Sequence, residues 1–359
     1  MKRIIYISNY KKGLGGINAQ VDLLCECING ERIRGLGKKG NDEVIRADIF
    51  STKGNPLKRI VLFMKLLFVA RRYDVLHIHG CSDWGMLPVV YGVIAGKIWR
   101  KRIIVTYHGG GANDYMADHA DFARRWLGRA DKTIVLNGYL KKVFDEHRIP
   151  CVEIPNIVPL REDVYQPKKA ITPKMISVRH LTDLYRIDLI IRAFAKVAEK
   201  YPEATLDILG QGDKREELER LVVSGLGVSG LSERVHFIGQ VPNEKMYDYL
   251  KANDIMLSAP KIDNMPVSLM EAMNAGVLVI SSNVGGVPYM IEHRKTGLLF
   301  GDCKLEIGNW KLEDALAEKI LWALEHQKES LAMIEAAHEE VKKYTWENVR
   351  KQLLPMYGA

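Results

Sequence analysis

Two carboxylates, Asp263 and Glu271, stand eight positions apart around the segment Asp-Asn-Met-Pro-Val-Ser-Leu-Met-Glu. Met265-Pro266 reads as an extended or turn dipeptide, and a helix beginning just past it leaves the N–H groups of Val267, Ser268 and Leu269 free at a positive helix end. Such an end suits a diphosphate. Asn264, Met265 and Pro266 would border that anion site. Glu271, about two turns into the helix, is placed to accept hydrogen bonds from both vicinal hydroxyls of a ribose. The chemistry this spacing suggests is recognition of a nucleotide together with a polyhydroxylated group. An exposed loop aspartate and an ordinary helical glutamate are the plain alternative.

Further candidates lie at strand ends. Gly13-Leu14-Gly15-Gly16-Ile17-Asn18 follows the first strand and opens a helix, so Gly15 and Gly16 would let a phosphate or acceptor approach the backbone. The sixth position is Asn18, not glycine, so the dinucleotide fingerprint fails. His108 follows a strand and precedes three glycines, where its ring can reach a sugar hydroxyl or phosphate. His77 and His79 alternate along another strand and are expected to be packed or satisfied locally. Gly210-Gln211-Gly212 and Gly239-Gln240-Val241 end two later strands and suit close contact with a base or phosphate, which makes Gly210, Gly212 and Val241 donor-site candidates. Arg179 and Arg186 flank a strand-to-helix connection, and guanidinium is the natural partner of a departing diphosphate. The three histidines lack the carboxylate spacing of a metal motif, so no metal is expected.

Those residues need a scaffold that gathers strand ends. Short apolar runs alternate with amphipathic stretches along all 359 residues, the signature of βαβ units and mostly parallel sheets. The expected fold class is α/β, as two Rossmann-like doubly wound domains facing across a cleft. One domain is read over 1–165 and a second over 166–340. A final helix over 341–359 would pack back on the first domain. The boundary is expected between Val158 and Pro173, where three prolines interrupt the pattern.

Composition narrows the class. Neither a secretory signal pattern nor a spanning helix is read, since the apolar run Ile60–Ala70 is broken by Lys65 and is too short. Five cysteines at 25, 27, 81, 151 and 303 form no CxxC pair or even framework, and a reducing cytoplasm is the expected location. Residues 1–165 carry 27 Lys+Arg against 17 Asp+Glu, leaving 25 against 27 for the rest, so the first half is the one suited to something anionic. Leu57–Tyr73, with Lys58, Arg59, Lys65, Arg71 and Arg72 around an apolar stripe, resembles an interfacial helix; a basic-ended helix buried on the first sheet is the alternative.

In this order the motifs resemble the family-4 retaining glycosyltransferases of GT-B fold, over nearly the whole chain and most strongly from Met175 to Phe300. The resemblance is carried by Ile154-Pro155-Asn156, Leu206–Gly212, Val235–Gly239, Asp263–Glu271, Gly285-Gly286-Val287-Pro288 and Thr296-Gly297-Leu298-Leu299. It implies a UDP-favoured nucleotide-diphosphate sugar as donor and a hydroxyl of a glycan or polyprenyl-diphosphate-linked saccharide as acceptor. It further implies a role in cell-surface polysaccharide synthesis, retention at the anomeric carbon, no metal and no nucleic acid. Residue by residue, Glu271 would hold the ribose, Asp263 the transferred sugar, the amides of 267–269 the diphosphate, and His108 would position sugar and acceptor. Three departures stand out: Asp263 where the family has Glu, His180 and Tyr185 where it has an Arg and a Lys, and Tyr289 where it has Glu. Arg179 and Arg186, each displaced by one position, are the substitutes for that cationic pair. A nucleotide-sugar epimerase of the same fold and a silent nucleotide-sugar-binding protein stay open as alternatives.

Overall fold

The computed structural model describes residues 2–11, 16–30, 32–33, 43–159, 161, 163–302 and 312–358. Its contacts divide the chain into two units, Met1–Pro159 with Tyr344–Ala359, and Leu160–Lys343.

The first unit holds strands β1 (Lys2–Ser8), β2 (Arg32–Ile33), β3 (Glu43–Ser51), β4 (Val75–Gly80), β5 (Arg102–Tyr107), β6 (Lys132–Val135) and β7 (Val152–Glu153). They form one sheet in the order β2-β3-β1-β4-β5-β6-β7. All pairings are parallel except β2 with β3, a short antiparallel edge that the strand pattern did not foretell. Its helices are α1 (Gly16–Gly30), α2 (Pro56–Ala70), α3 (Leu87–Ile98), α4 (Ala112–Leu127) and α5 (Gly138–Glu146). Continuous apolar runs make the central strands, because crossover helices cover both faces of a parallel sheet, and β4 is accordingly buried at every position. Helix starts are chemically marked. The Asn55 side chain accepts from the N–H of Lys58 at 2.9 Å with Pro56 in the first turn of α2, and Asn137 accepts from Leu140 at 3.1 Å at the start of α5.

The second unit holds β8 (Lys174–Val178), β9 (Thr205–Leu209), β10 (Val235–Gly239), β11 (Ile255–Ser258), β12 (Leu278–Asn283) and β13 (Leu298–Asp302), all parallel, in the order β10-β9-β8-β11-β12-β13. Around them run α6 (Ile187–Lys200), α7 (Arg215–Val223), α8 (Leu231–Arg234), α9 (Asn243–Ala252), α10 (Val267–Asn274), α11 (Leu312–Glu325) and α12 (Gln327–Val341). Val287–Tyr289 forms a single 3-10 turn.

In each sheet the chain turns outward in opposite directions from a central pair: β1 and β4 in the first unit, β8 and β11 in the second. Ligands of open α/β sheets bind at the carboxyl ends of such pairs.

The last helix, α13 (Trp346–Met356), belongs to the first unit, where Val349, Leu353, Leu354 and Tyr357 join Ile4, Tyr6 and Ile134 in one core. Tyr357 Oη lies 3.1 Å from Tyr6 Oη and 2.8 Å from His77 Nδ1, deep in the interior. Leu353→Ala should therefore cost the first unit about 2–5 kcal/mol, read by urea unfolding. An unchanged midpoint would mean that α13 does not contribute to this core.

Candidate functional site

At the centre of the second sheet, Arg179 leaves β8 and reaches across to β11. Its Nε and Nη2 donate to Ser258 Oγ at 3.3 and 3.1 Å, its guanidinium carbon sits 5.3 Å from the centre of the Tyr185 ring, and Nη1 lies 3.2 Å from Asp263 Oδ2. Both partners of this ion pair are mostly shielded, with side chains 9% and 19% exposed. The contact is coulombic and not an aligned hydrogen bond, so Asp263 Oδ2 is buried with an open lone pair. Asp263 Oδ1 accepts from the N–H of Asn264 at 2.8 Å.

The loop bearing Asp263 is fixed by its neighbours. Gly285 has φ +53°, and a Cβ there would stand 2.1 Å from the Asp263 carbonyl oxygen, which accepts from Gly286 N–H at 3.0 Å. Only glycine permits that approach. Gly210 and Gly212, read from sequence as ligand contacts, pack in the same way. A Cβ at either would strike the carbonyl oxygens of Arg179 or Leu181, so both glycines let β9 lock onto the strand end that aims Arg179. Arg179 and Leu181 N–H groups donate to Leu209 and Gln211 at 3.0 and 3.1 Å. Val241 is half-buried in the loop after β10, next to Gln240, whose Oε1 accepts from Gln211.

Helix α10 starts at Val267 behind Pro266, whose extended φ of −69° and ψ of 115° suit a residue preceding a helix. The Leu269 N–H is not free, as had been expected: it donates to Pro266 O at 3.2 Å, because the first turn tightens. No hydrogen bond is formed by the N–H groups of Val267 and Ser268 among the described residues, and Ser268 Oγ is buried without a partner. Asn264, Met265 and Pro266 are buried beneath that end.

Glu271 is half-buried on the same helix. Burial drives its pKa up to about 7, with the positive charge of Arg179 pulling the other way. Arg186, the other residue expected at the diphosphate, is engaged with the backbone. It adopts left-handed φ 46°, and its Nε and Nη2 donate to the carbonyls of Ala259 and Pro260 at 2.8 and 3.0 Å, holding the loop after β11. Of the two displaced arginines, only Arg179 is brought to the carboxylates.

In the first unit the central strand pair ends in a cavity of about 240 Å³, lined by Asn9, Gly16, Ile17, Asn18, His79, Cys81 and Gly85. Gly16 opens α1 with space around it; Gly15 lies outside the described residues. His108, just past β5, shares a 2.8 Å hydrogen bond between its Nε2 and His79 Nδ1, with the rings stacked. Burial lowers the pKa of His108 to about 4 and that of His79 well below the usual histidine value, so both are neutral near pH 7. His77 is satisfied on both nitrogens, by Tyr357 and Thr106. His79 is not: its buried Nε2 has no partner, and its ring lines the cavity. His79 is therefore not satisfied locally as expected, and its place one residue before the end of a switch-point strand was a usable signal. Depending on which ring carries the shared proton, His79 Nε2 offers the cavity an acceptor or a donor.

Comparison with known proteins places the chain. Residues 5–162 match the model for Glycosyltransferase Family 4, and residues 162–340 the model for Glycosyl transferases group 1. The chain belongs to the family-4, group 1 glycosyltransferases. Among curated relatives of this family it is 27% identical over 51% of its length to an uncharacterized glycosyltransferase of Methanocaldococcus jannaschii, of which the match covers 44%. It is 23% identical to the D-inositol 3-phosphate glycosyltransferase of Corynebacterium urealyticum, over 80% of this chain and 72% of that one. Anabaena HepE, solved in complex with UDP and glucose, superposes over the full length of both chains with a TM-score of 0.74 at 16% identity. The fold is GT-B. No helix among the described residues is long and apolar enough to cross a membrane.

The raised pKa of Glu271 has a stability signature. Because the folded value of about 7 exceeds the usual 4.5, the protonated form is the one folding favours. Its contribution is complete below pH 4.5 and is lost as pH rises to about 7. Glu271→Gln should therefore be more stable than the wild type above pH 7, by on the order of 2–3 kcal/mol, with the gap closing toward pH 4.5. Denaturant unfolding at pH 5 and pH 8 measures it; a gap independent of pH would refute the shift.

Proposed function

We propose that the protein is a retaining glycosyltransferase that moves a sugar from a nucleotide-diphosphate sugar, UDP-linked by preference, to a hydroxyl of a glycan or polyprenyl-diphosphate-linked saccharide, without a metal ion. Cytoplasmic polysaccharide synthesis is the setting this reading favours. The observation that carries it is Arg179 held 3.2 Å from Asp263 beside a helix end with two unbonded amides and an unpartnered hydroxyl. Among residues that stabilise an anion, this set pairs a permanent charge with fixed dipoles.

In this reading the diphosphate rests on Val267, Ser268 and Arg179. The ribose hydroxyls donate to Glu271, and a hydroxyl of the transferred sugar donates to the open lone pair of Asp263 Oδ2. Breaking the anomeric C–O bond leaves its electron pair on the diphosphate, where the helix end and Arg179 stabilise the developing charge. The acceptor oxygen bonds to the anomeric carbon, and its proton passes to the departing phosphate oxygen. The acceptor is assigned to the cavity of the first unit, where neutral His79, its ring stacked on His108, offers a hydrogen bond through Nε2 without placing a second cation.

Radiolabelled donor separates this reading from its rivals. Label on an acceptor supports transfer, an altered free nucleotide sugar an epimerase, and binding without turnover a silent protein. Glu271→Ala should nearly abolish transfer, and Arg179→Ala should lower kcat about 100- to 1,000-fold, the scale of removing one positioned oxyanion donor. Wild-type kcat in either variant would withdraw that residue's role.

Ribose hydroxyls favour the ionised carboxylate, so nucleotide binding should release a proton from Glu271 below pH 7. UDP affinity then rises with pH up to about 7. Calorimetry in buffers of different ionisation enthalpy measures the release. Binding with no proton released at pH 6 would show that Glu271 does not meet the nucleotide.

A further inference from the structure

Helix α2 is apolar on two faces, and the core accounts for one. Leu66 and Ala70 are fully buried, and Phe63 packs its ring against Tyr91 of α3 at 4.7 Å. The opposite side carries Leu57, Ile60, Val61, Met64 and Phe68, spaced as one helical stripe and between 49% and 77% exposed. From Leu57 to Phe68 the stripe runs about 17 Å.

Tryptophans extend it at both ends. Trp84, 71% exposed, lies beside the first turn of the helix with the Arg59 guanidinium carbon 5.3 Å from its ring centre. Trp99, next to exposed Ile98, donates its indole N–H to Leu67 O near the other end. Monomeric soluble proteins rarely leave a contiguous apolar surface of this length to water.

Charge selects the occupant. Lys53, Lys58, Arg59, Lys65, Arg71 and Arg72 fall between Lys53 and Tyr73 with no acidic residue among them; Asp48 and Asp74 are the nearest in sequence. Lys58 and Lys65, two turns apart, line the same flank of the stripe, and Arg71 and Arg72 close its end; all four are exposed. A second copy docked through this face would set the same cations against themselves, because a two-fold contact uses one patch twice. The centre of a protein–protein interface is depleted in lysine, which also argues against a protein partner. An anionic bilayer accepts both features at once, since the apolar stripe enters the acyl boundary while the lysines and arginines meet lipid phosphates.

We propose that the outer face of α2, with Trp84, Ile98 and Trp99 at its ends, is an interfacial surface that seats the protein on an anionic lipid bilayer. This surface is independent of the transferase reading. One consequence rests on that reading: Trp84 adjoins Gly85, which lines the first-unit cavity, and Asn9 of that cavity donates to Trp84 O at 3.3 Å. A lipid-linked acceptor held in the bilayer would thus meet the cavity at its membrane side.

Flotation of the full chain with vesicles tests the surface itself. Vesicles of phosphatidylcholine mixed with phosphatidylglycerol should carry the protein upward at low salt, the bound fraction should fall as salt rises, and phosphatidylcholine alone should carry little. Lys58→Gln with Lys65→Gln should weaken partitioning about fivefold per charge removed. Val61→Ser with Phe68→Ser should abolish it, with thermal unfolding unchanged because these side chains make few core contacts. Failure of the wild type to float at low salt, flotation of both variants like wild type, or a concentration-dependent dimer abolished by Val61→Ser with Phe68→Ser would each overturn the proposal. Flotation with no transfer activity would leave the surface standing and remove only its link to a lipid-borne acceptor.

Discussion

The ion pair between Arg179 and Asp263 is the interaction on which the second unit's site is organised. Two opposite charges so far removed from water lose much of their hydration, and their mutual attraction offsets that loss only with supporting contacts. Ser258, the Tyr185 face and the Asn264 amide supply part of that support. An open lone pair on Asp263 and unbonded donors at the start of α10 are left over. This set of groups matches the proposed ligand, which brings both hydroxyl donors and an anion.

Glycine makes this geometry reachable. Backbone carbonyls approach Gly210, Gly212 and Gly285 so closely that no side chain fits, and these contacts tie the segment after β9 to that after β8 and the loop after β12 to that after β11. Arg186 adds to these ties by holding two carbonyls beyond β11. Aiming one guanidinium this way costs three glycines and a left-handed arginine, the sort of local strain that accumulates at functional sites. The first unit builds its cavity by different means, from a buried histidine pair kept neutral by desolvation.

The α/β architecture was readable because buried parallel strands are continuous apolar runs, and the alternation with helices restarts after Pro173. Individual ligand contacts were harder to read. A glycine that admits a ligand and one that admits a neighbouring carbonyl look identical in sequence, so the packing of Gly210 and Gly212 against the Arg179 and Leu181 carbonyls was not legible there. Whether the Leu269 amide turns back on Pro266 depends on how tightly the first turn winds, and residue types do not encode that. Arg179 and Arg186 could not be ranked from spacing, because the left-handed backbone at Arg186 redirects its side chain. His79 was expected to be satisfied locally because a histidine among apolar strand residues carries no mark of an unpartnered nitrogen.

The central claim is that the start of α10, Arg179 and Glu271 together hold a nucleotide diphosphate. A crystal structure with a UDP-sugar tests it most directly. The account predicts phosphate oxygens about 2.7–3.2 Å from the amides of Val267 and Ser268 and from the Arg179 guanidinium, with both ribose hydroxyls on the Glu271 carboxylate. A nucleotide bound elsewhere, or bound with Glu271 out of reach of the ribose, would contradict it.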